Sequence, residues 1–171
     1  YGLRGIMAAG APMYRGLAKL LGLEVFSYGP GDGVTGRPDS NLERKIARAL
    51  TLSRDYAAIF IHIKGADSLA EDGNVEGKIA FIEKLDAALA PLARGDDWHV
   101  AITADHTTSC QLRQHTADPV PLTIKGEGVR TDDVTAFSER ACAKGRLGSI
   151  RGLHLMPILL DLSGRSPLYG A

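Results

Sequence analysis

Residues 57–74 read AAIFIHIKGADSLAEDGN. The first seven, residues 57–63, are almost wholly apolar and include three isoleucines, which predicts a strand covered by helices on both faces. The polar residues 64–74 that come next include three carboxylates and predict a loop. Because ligands of open parallel sheets bind where strands pass into loops at their carboxyl ends, this stretch predicts an α/β fold with a candidate site after the strand.

The same alternation of apolar runs and amphipathic stretches extends along the chain. It predicts an α/β domain with a largely parallel sheet flanked by helices. The apolar runs, which predict strands, cover residues 3–9, 24–28, 57–63 and 99–103, and the amphipathic stretches cover residues 12–21, 41–52 and 75–92.

The clearest helical pattern begins at Val75 and runs to about residue 89. Apolar side chains recur at three- and four-residue steps, and Pro91 comes soon afterwards, which predicts an end to the helix. We interpret the recurring residues as a buried stripe, made of Val75, Ile79, Ile82, Leu85 and Leu89.

Bulk composition excludes several classes of function. The 171 residues carry a formal charge of +0 with a pI near 7.1, so no overall charge attracts the chain to nucleic acid or an anionic membrane. No run approaches the roughly 20 apolar residues that a membrane span needs. The start at Tyr1, without an initiator methionine or the layout of a signal peptide, suggests a truncated or processed start. A cytoplasmic location is expected from the cysteines, because only two occur and they lie far apart in the sequence. Cys110 and Cys142 lack CxxC spacing, so we expect neither a disulfide nor a structural zinc site.

A glycine-rich stretch, GPGDGVTGRPD, occupies residues 29–39. Its spacing fits neither a dinucleotide-binding fingerprint nor a phosphate-binding P-loop. We therefore interpret it as a surface loop, with an anion site as the weaker alternative.

A second polar stretch begins at the end of the strand predicted at residues 99–103. Residues 103–121 read TADHTTSCQLRQHTADPVP and contain Asp105, His106, His115 and Asp118. Acidic loops are usually solvated turns, so either loop alone is a weak signal. Together, at the ends of two strands that we expect to be adjacent, carboxylates and imidazoles suit Mn²⁺, Zn²⁺ or Mg²⁺.

The consecutive pair Asp105-His106 refines this interpretation. The side chains of consecutive residues are expected to diverge. The pair can therefore bind two different metals, or one residue can bind a metal while the other contacts the ligands of that metal. A two-metal site suits phosphoryl transfer, because it holds the attacking and leaving oxygens and neutralises developing charge.

Three stretches also resemble a known family. They are HIKGADSLAEDGNVEGK at residues 62–78, TADHTTSCQLRQHTADPVPLTI at residues 103–124 and CAKGRLGSIRGLHLMPILLDL at residues 142–162. They closely resemble the archaeal-type, cofactor-independent phosphoglycerate mutases of the alkaline phosphatase superfamily. The resemblance covers nearly the whole chain, and its first two motifs are specific.

The resemblance implies a mutase that interconverts 3-phosphoglycerate and 2-phosphoglycerate through a phosphoserine intermediate. It implies two divalent metal ions, commonly Mn²⁺, and no need for 2,3-bisphosphoglycerate. By matching motif positions, Asp67 and His115 are implied ligands of one metal, and Asp105 and His106 of the other.

One position departs from the family pattern. Glu71 stands where the family has a histidine, four residues after its aspartate. We retain Glu71 as a predicted ligand, because a carboxylate binds hard cations and shifts preference from Zn²⁺ toward Mg²⁺ or Mn²⁺.

A second departure concerns the nucleophile. In the family, the nucleophilic serine and a further aspartate precede a cap domain, and residues 1–171 resemble only the segment on the C-terminal side of that cap. Ser68 and Ser109 do not match the nucleophile. We therefore predict the C-terminal part of a metal-binding, alkaline-phosphatase-like domain, without its N-terminal strand segment and cap. Such a chain is expected to be inactive alone, and its uncovered apolar faces favour self-association.

Two further points stay open at this level. Lys64, directly after its strand, is a candidate contact for the phosphate or carboxylate of phosphoglycerate, with surface solvation as the alternative. A noncatalytic metal-binding relative, and a phosphatase or phosphoryl transferase acting on another ester, are the alternatives to a mutase.

Overall fold

The computed structural model describes residues 1–29, 33–95 and 97–166. The chain divides into two compact units. Unit 1 comprises Tyr1–Ala93 and Thr108–His115, and unit 2 comprises Arg94–Thr107 and Thr116–Ala171.

Three parallel strands form the sheet of unit 1 within the described residues. They are β1 (Gly5–Ala8), β2 (Glu24–Phe26) and β3 (Ala58–Ile61), in the order β2-β1-β3. All four residues of the central strand β1 are buried, as an all-apolar strand flanked by two others requires. The parallel sheet and its helices confirm the predicted α/β class.

Two helices connect these strands. Helix α1 (Pro12–Leu20) begins with a proline in its first turn, where the missing N–H costs nothing. Helix α2 (Leu42–Leu52) is capped by Asn41, whose side chain accepts a hydrogen bond of 2.9 Å from the backbone N–H of Arg44. Both boundaries agree with the sequence predictions to within one residue.

The segment predicted as the loop after β3 contains a helix. Helix α3 (Gly65–Glu71) begins only a few residues after the end of β3. Gly65 makes this possible, because a side-chain carbon there would lie 2.4 Å from the ring of Phe81. The helix starts against a packed aromatic ring, a tertiary constraint that the polar sequence does not reveal.

Helix α4 (Val75–Arg94) buries a different stripe from the predicted one. Val75, Ile79 and Ile82 are exposed, so the predicted stripe is wrong for three of its five residues. The face of α4 that packs against the core comprises Phe81, Leu85, Ala88, Leu89 and Leu92. Leu42 and Ile46 of α2 belong to the same core.

The same helix continues through Pro91, where we predicted its end. A proline inside a helix removes one hydrogen bond and strains the preceding turn. Leu92 packs against the core just beyond it, and this burial favours one more helical turn.

Unit 2 contains an antiparallel pair of strands. Strand β4 (Val100–Thr103) pairs with β7 (Leu122–Lys125), with Val100 opposite Lys125. Further along are α5 (Glu139–Cys142), a short 3₁₀ turn (Gly152–His154) and α6 (Leu155–Leu162). Within the described residues β3 pairs with β1 and β4 pairs with β7, and the expectation that β3 and β4 are adjacent stays a prediction.

The second predicted loop also contains regular structure. Strands β5 (Thr107–Ser109) and β6 (Gln114–Thr116) pair to form a hairpin, and its segment Thr108–His115 belongs to unit 1. At its turn the backbone N–H of Arg113 donates to the carbonyl of Ser109 at 2.7 Å. Arg113 has a φ of 54°, in the left-handed region.

Three smaller predictions have these outcomes. Within the described part of residues 29–39 there is no helix or strand, and residues 30–32 of that stretch lie outside the description. Both cysteines are free thiols. Across the described helices, none combines the length and apolar character that crossing a bilayer demands.

Candidate metal centre

Asp67 is the centre of the candidate site in unit 1. It lies in the first turn of α3, where its backbone N–H donates to the carbonyl of Lys64 at 3.0 Å. The short connection from β3 and the contact of Gly65 with Phe81 fix where this turn begins. Asp67 therefore lies just beyond the carboxyl end of the parallel sheet, as the sequence predicts.

His115 faces Asp67 from the hairpin. Its Nε2 atom lies 3.5 Å from Oδ1 of Asp67, and its side chain is 54% exposed whereas that of Asp67 is 19% exposed. Two ligands bound to one ion at about 2.0–2.2 Å lie about 3 to 3.5 Å apart. The pair therefore fits a divalent cation in both donor chemistry and spacing, with room on the exposed side for further ligands.

Thr108 is the third member of this group. Its side-chain hydroxyl donates a hydrogen bond of 2.6 Å to Oδ1 of Asp67. Thr108 is buried, and its backbone carbonyl accepts a hydrogen bond of 2.8 Å from the ammonium group of Lys78 on α4. Neither Thr108 nor Lys78 was among the predicted site residues.

The opposite oxygen of Asp67 is occupied by a cation. The Lys64 ammonium group donates to Oδ2 of Asp67 and lies 3.8 Å from Oε2 of Glu71. The hydrogen bond to Asp67 raises the pKa of Lys64 above its ordinary value. The Lys64 ammonium group thus pairs with both acidic side chains of α3, those of Asp67 and Glu71.

Glu71, one turn after Asp67, is about half exposed and faces Lys64. Its role as a ligand stays a prediction, as does the role of Lys64 in binding substrate. The geometry adds an ion pair between them that the sequence analysis did not include.

Asp105 and His106 belong to unit 2 and come directly after β4. Their side chains contact each other, with 3.5 Å between Oδ2 of Asp105 and Nε2 of His106. The expected divergence of the pair is therefore wrong. The cause is local: Oδ1 of Asp105 accepts the backbone N–H of His106 at 3.1 Å, which turns the carboxylate toward its neighbour.

The two serines of these segments lie in different local structures. Oγ of Ser109 accepts the backbone N–H of Leu112 at 3.2 Å, which stabilises the hairpin turn. Ser68 lies inside α3, next to Asp67.

Besides the hydrogen bond from Thr108 to Asp67, a second contact joins the hairpin to the segment after α3. Gly73 has a φ of 71°, and a side-chain carbon at that position would lie 2.6 Å from Nε of Arg113. The guanidinium group of Arg113 therefore rests directly on the backbone of Gly73. Only glycine accommodates both the left-handed conformation and this close approach.

A buried lysine lies beneath the same edge of the sheet. Lys45 of α2 is 1% exposed, and its ammonium group donates to the carbonyl of His62 at 3.0 Å. Burial lowers the pKa of Lys45 to about 8. The periodic pattern of α2 gave no sign of this interaction, because a lysine in an amphipathic helix usually faces solvent.

Comparison with known proteins agrees with this geometry. The family model of the metalloenzyme superfamily matches residues 1–162, and the chain belongs to this superfamily. Family membership and the Asp67–His115 pair together support binding of a divalent metal.

Among its relatives are archaeal phosphoglycerate mutases. The chain is 40% identical over 174 residues to 2,3-bisphosphoglycerate-independent phosphoglycerate mutase 1 of Methanocaldococcus jannaschii, covering 100% of this chain and 42% of that enzyme. It is 42% identical over 170 residues to the enzyme of Methanosphaerula palustris, covering 99% of this chain and 41% of the relative. The chain thus spans well under half the length of these relatives.

Solved structures agree. A protein from Pyrococcus horikoshii is similar with a TM-score of 0.91 and 38% identity, covering 99% of this chain and 51% of that one. The cofactor-independent phosphoglycerate mutase of Thermoplasma acidophilum is similar with a TM-score of 0.70 and 28% identity, covering 95% and 37%. The suspected resemblance to this family is confirmed.

Proposed function

We propose that this chain is the C-terminal, metal-binding portion of a 2,3-bisphosphoglycerate-independent phosphoglycerate mutase. The observation that carries the proposal is the 3.5 Å approach of His115 to Asp67, at the end of a parallel sheet in a member of the metalloenzyme superfamily. The identity to archaeal mutases over the full length of the chain supports the choice of activity.

In this proposal Asp67 and His115 hold one divalent ion, together with Glu71. Asp105 and His106 supply the ligands of the second ion. Oxygen and imidazole donors favour Mn²⁺, with Mg²⁺ and Zn²⁺ as alternatives.

Divalent ions bound here would polarise phosphoryl oxygens and favour the ionised form of a hydroxyl nucleophile. The residues of the chain have distinct tasks around that chemistry. Asp67 and His115 orient toward a common point, and Lys64 carries positive charge beside them. We propose that Lys64 contacts an anionic group of phosphoglycerate, exchanging part of its ion pairing with Glu71 for the substrate.

No residue of this chain is assigned as the nucleophile. The phosphoserine intermediate of the proposed reaction therefore requires a serine that we do not place here, and the chain alone is expected to turn over 3-phosphoglycerate poorly. We propose a cytoplasmic location, with phosphoglycerate as the small-molecule partner and neither nucleic acid nor membrane as a partner. We further propose that the exposed apolar residues of α4 promote self-association.

A second candidate function is metal binding without catalysis. It is favoured by Glu71, which stands where the family has a histidine and faces Lys64. If the Lys64–Glu71 pair persists when metal is bound, the site holds an ion but presents less positive charge to a phosphate ester.

Calorimetric titration with Mn²⁺ tests the metal site. We expect saturable binding by the purified protein, weakened by about tenfold or more in Asp67→Asn and in His115→Ala, because each removes one donor. Asp86→Asn, an exposed carboxylate of α4, is the matched control and should bind as the wild type does. Equal binding by the wild type and all three variants would refute the assignment of these ligands.

A coupled assay for conversion of 3-phosphoglycerate then separates the two candidates. A mutase portion predicts turnover when the segment carrying the nucleophile is present in the same polypeptide. Intact metal binding without turnover in that longer polypeptide would favour the noncatalytic relative.

A further inference from the structure

We infer that Thr108 is a positioning residue for the metal centre: its hydroxyl orients the Asp67 carboxylate so that Oδ1 faces His115. The inference rests on the proposed metal site and adds a residue outside the proposed ligand set. It is carried by the 2.6 Å hydrogen bond from Oγ1 of Thr108 to Oδ1 of Asp67.

The choice of oxygen is the central point. Oδ1 is the atom that lies 3.5 Å from Nε2 of His115, whereas Oδ2 takes the ammonium group of Lys64. A carboxylate with one partner can rotate about its Cβ–Cγ bond, because that torsion is broad. With Lys64 on one oxygen and Thr108 on the other, the plane of the carboxylate is defined, and Oδ1 is directed to the His115 side.

Thr108 is itself held firmly. It is 5% exposed, and a β-branched side chain in a strand has a restricted χ1 angle. Lys78 donates to the Thr108 carbonyl at 2.8 Å, which ties this residue of β5 to helix α4. The orientation of Asp67 is thereby linked through two hydrogen bonds to the longest helix described in unit 1.

The chemistry also suits a ligand. A carboxylate oxygen has two lone-pair directions, so Oδ1 can accept the Thr108 hydroxyl and still present a lone pair toward His115. Groups that orient a ligand in this way typically change metal affinity by about 10- to 100-fold when they are removed.

The test is a Mn²⁺ titration of Thr108→Val and Thr108→Ser at neutral pH. Valine keeps the β-branched shape and loses the hydroxyl, whereas serine keeps the hydroxyl and loses the methyl group. We expect Thr108→Val to bind Mn²⁺ about 10- to 100-fold more weakly and Thr108→Ser to recover most of the affinity. Lys78→Met, which removes only the donor to the Thr108 carbonyl, should fall between the wild type and Thr108→Val.

Thr107→Val is the control for loss of a neighbouring hydroxyl. Its hydroxyl donates to the carbonyl of Asp118 at 3.1 Å and not to a proposed ligand, so Mn²⁺ affinity should not change. Urea unfolding of each variant shows whether a loss of affinity reflects global destabilisation.

Three negative results have different meanings. Normal affinity in Thr108→Val, when Asp67→Asn is impaired, overturns the positioning role and leaves the metal site intact. Absence of Mn²⁺ binding by the folded wild-type protein overturns the metal site and this inference with it. Equal weakening in the valine and serine variants also overturns the inference, because a packing role would not be rescued by the hydroxyl.

Discussion

Replacing Lys45 by methionine should remove a pH dependence of stability that the wild-type protein shows in the alkaline range. Lys45 is 1% exposed, and burial lowers its pKa from 10.5 to about 8. The cause is loss of hydration, which disfavours the charged ammonium group in the folded protein. Its hydrogen bond to the His62 carbonyl offsets that cost only in part.

The sign and size of the effect depend on these two pKa values. Below about pH 8 the amine is protonated in both states, and the folded state bears the full cost of the buried charge. Between about pH 8 and 10.5 the unfolded chain binds more protons than the folded one, so the free energy of unfolding rises with pH. The gap between the two pKa values corresponds to about 3 kcal/mol.

Urea unfolding at intervals from about pH 7 to pH 10.5 measures this directly. The difference in unfolding free energy between wild type and Lys45→Met should move in favour of the wild type by up to about 3 kcal/mol across that range. Near neutral pH the two should be similar, since methionine removes a buried charge but leaves the His62 carbonyl without this donor. Lys84→Met, at an exposed position of α4, is the control and should run parallel to the wild type. A constant difference between Lys45→Met and the wild type would show that Lys45 does not titrate in this range.

Three further substitutions test the fold and the site. Gly65→Ala should lower the free energy of unfolding by about 1 to 3 kcal/mol, because its side-chain carbon would lie 2.4 Å from the Phe81 ring, whereas Gly16→Ala in open space on α1 should not destabilise. Asn41→Ala should cost about 1 kcal/mol in urea unfolding through loss of the α2 cap, and no change would dismiss the cap. Glu71→His should raise the affinity for Zn²⁺ relative to Mn²⁺ in competition titrations, and an unchanged ratio would place Glu71 outside the metal site.

Sequence patterns predicted the elements of unit 1 well. Strand β1 and helix α2 arise from unbroken apolar runs and a 3.6-residue period, which depend on local chain geometry. Helix α3 was missed because it is only 7 residues long and its start depends on a contact between Gly65 and Phe81. A constraint between residues so far apart in the chain leaves no periodic signal.

Helix α4 shows how periodicity can be ambiguous. Its apolar residues are frequent enough to describe two overlapping faces. The predicted stripe shares Leu85 and Leu89 with the buried face, but its other three residues, Val75, Ile79 and Ile82, are exposed. Packing against Leu42 and Ile46 of α2 selects the face containing Phe81 instead. The choice of buried face therefore depends on what α4 packs against, which the periodicity of α4 alone does not reveal.

The residues that support the candidate site were not predicted, whereas its proposed ligands were among the predicted residues. Asp67 and His115 have residue types that bind metals, but other carboxylates and histidines of the two loops share that chemistry, and only the family resemblance paired these two. Thr108 and Lys78 act through hydrogen bonds that exist only once β5 lies beside α3 and α4. Threonine next to an Asp-His pair carries no chemical signature of that role.

The two contacts that hold the hairpin against the α3 segment affect the rate at which a metal ion would bind. Thr108 is tied to Asp67 and Arg113 lies on Gly73, so both ends of the turn that precedes His115 are fixed to the α3 segment. The two donors therefore lie close together before an ion binds, which reduces the entropy lost in ordering them at the moment of binding. Association should then be limited by the shedding of water from the cation rather than by closure of a loop. Because Mg²⁺ dehydrates reluctantly, it should enter this centre more slowly than Mn²⁺ even where the two bind with similar strength.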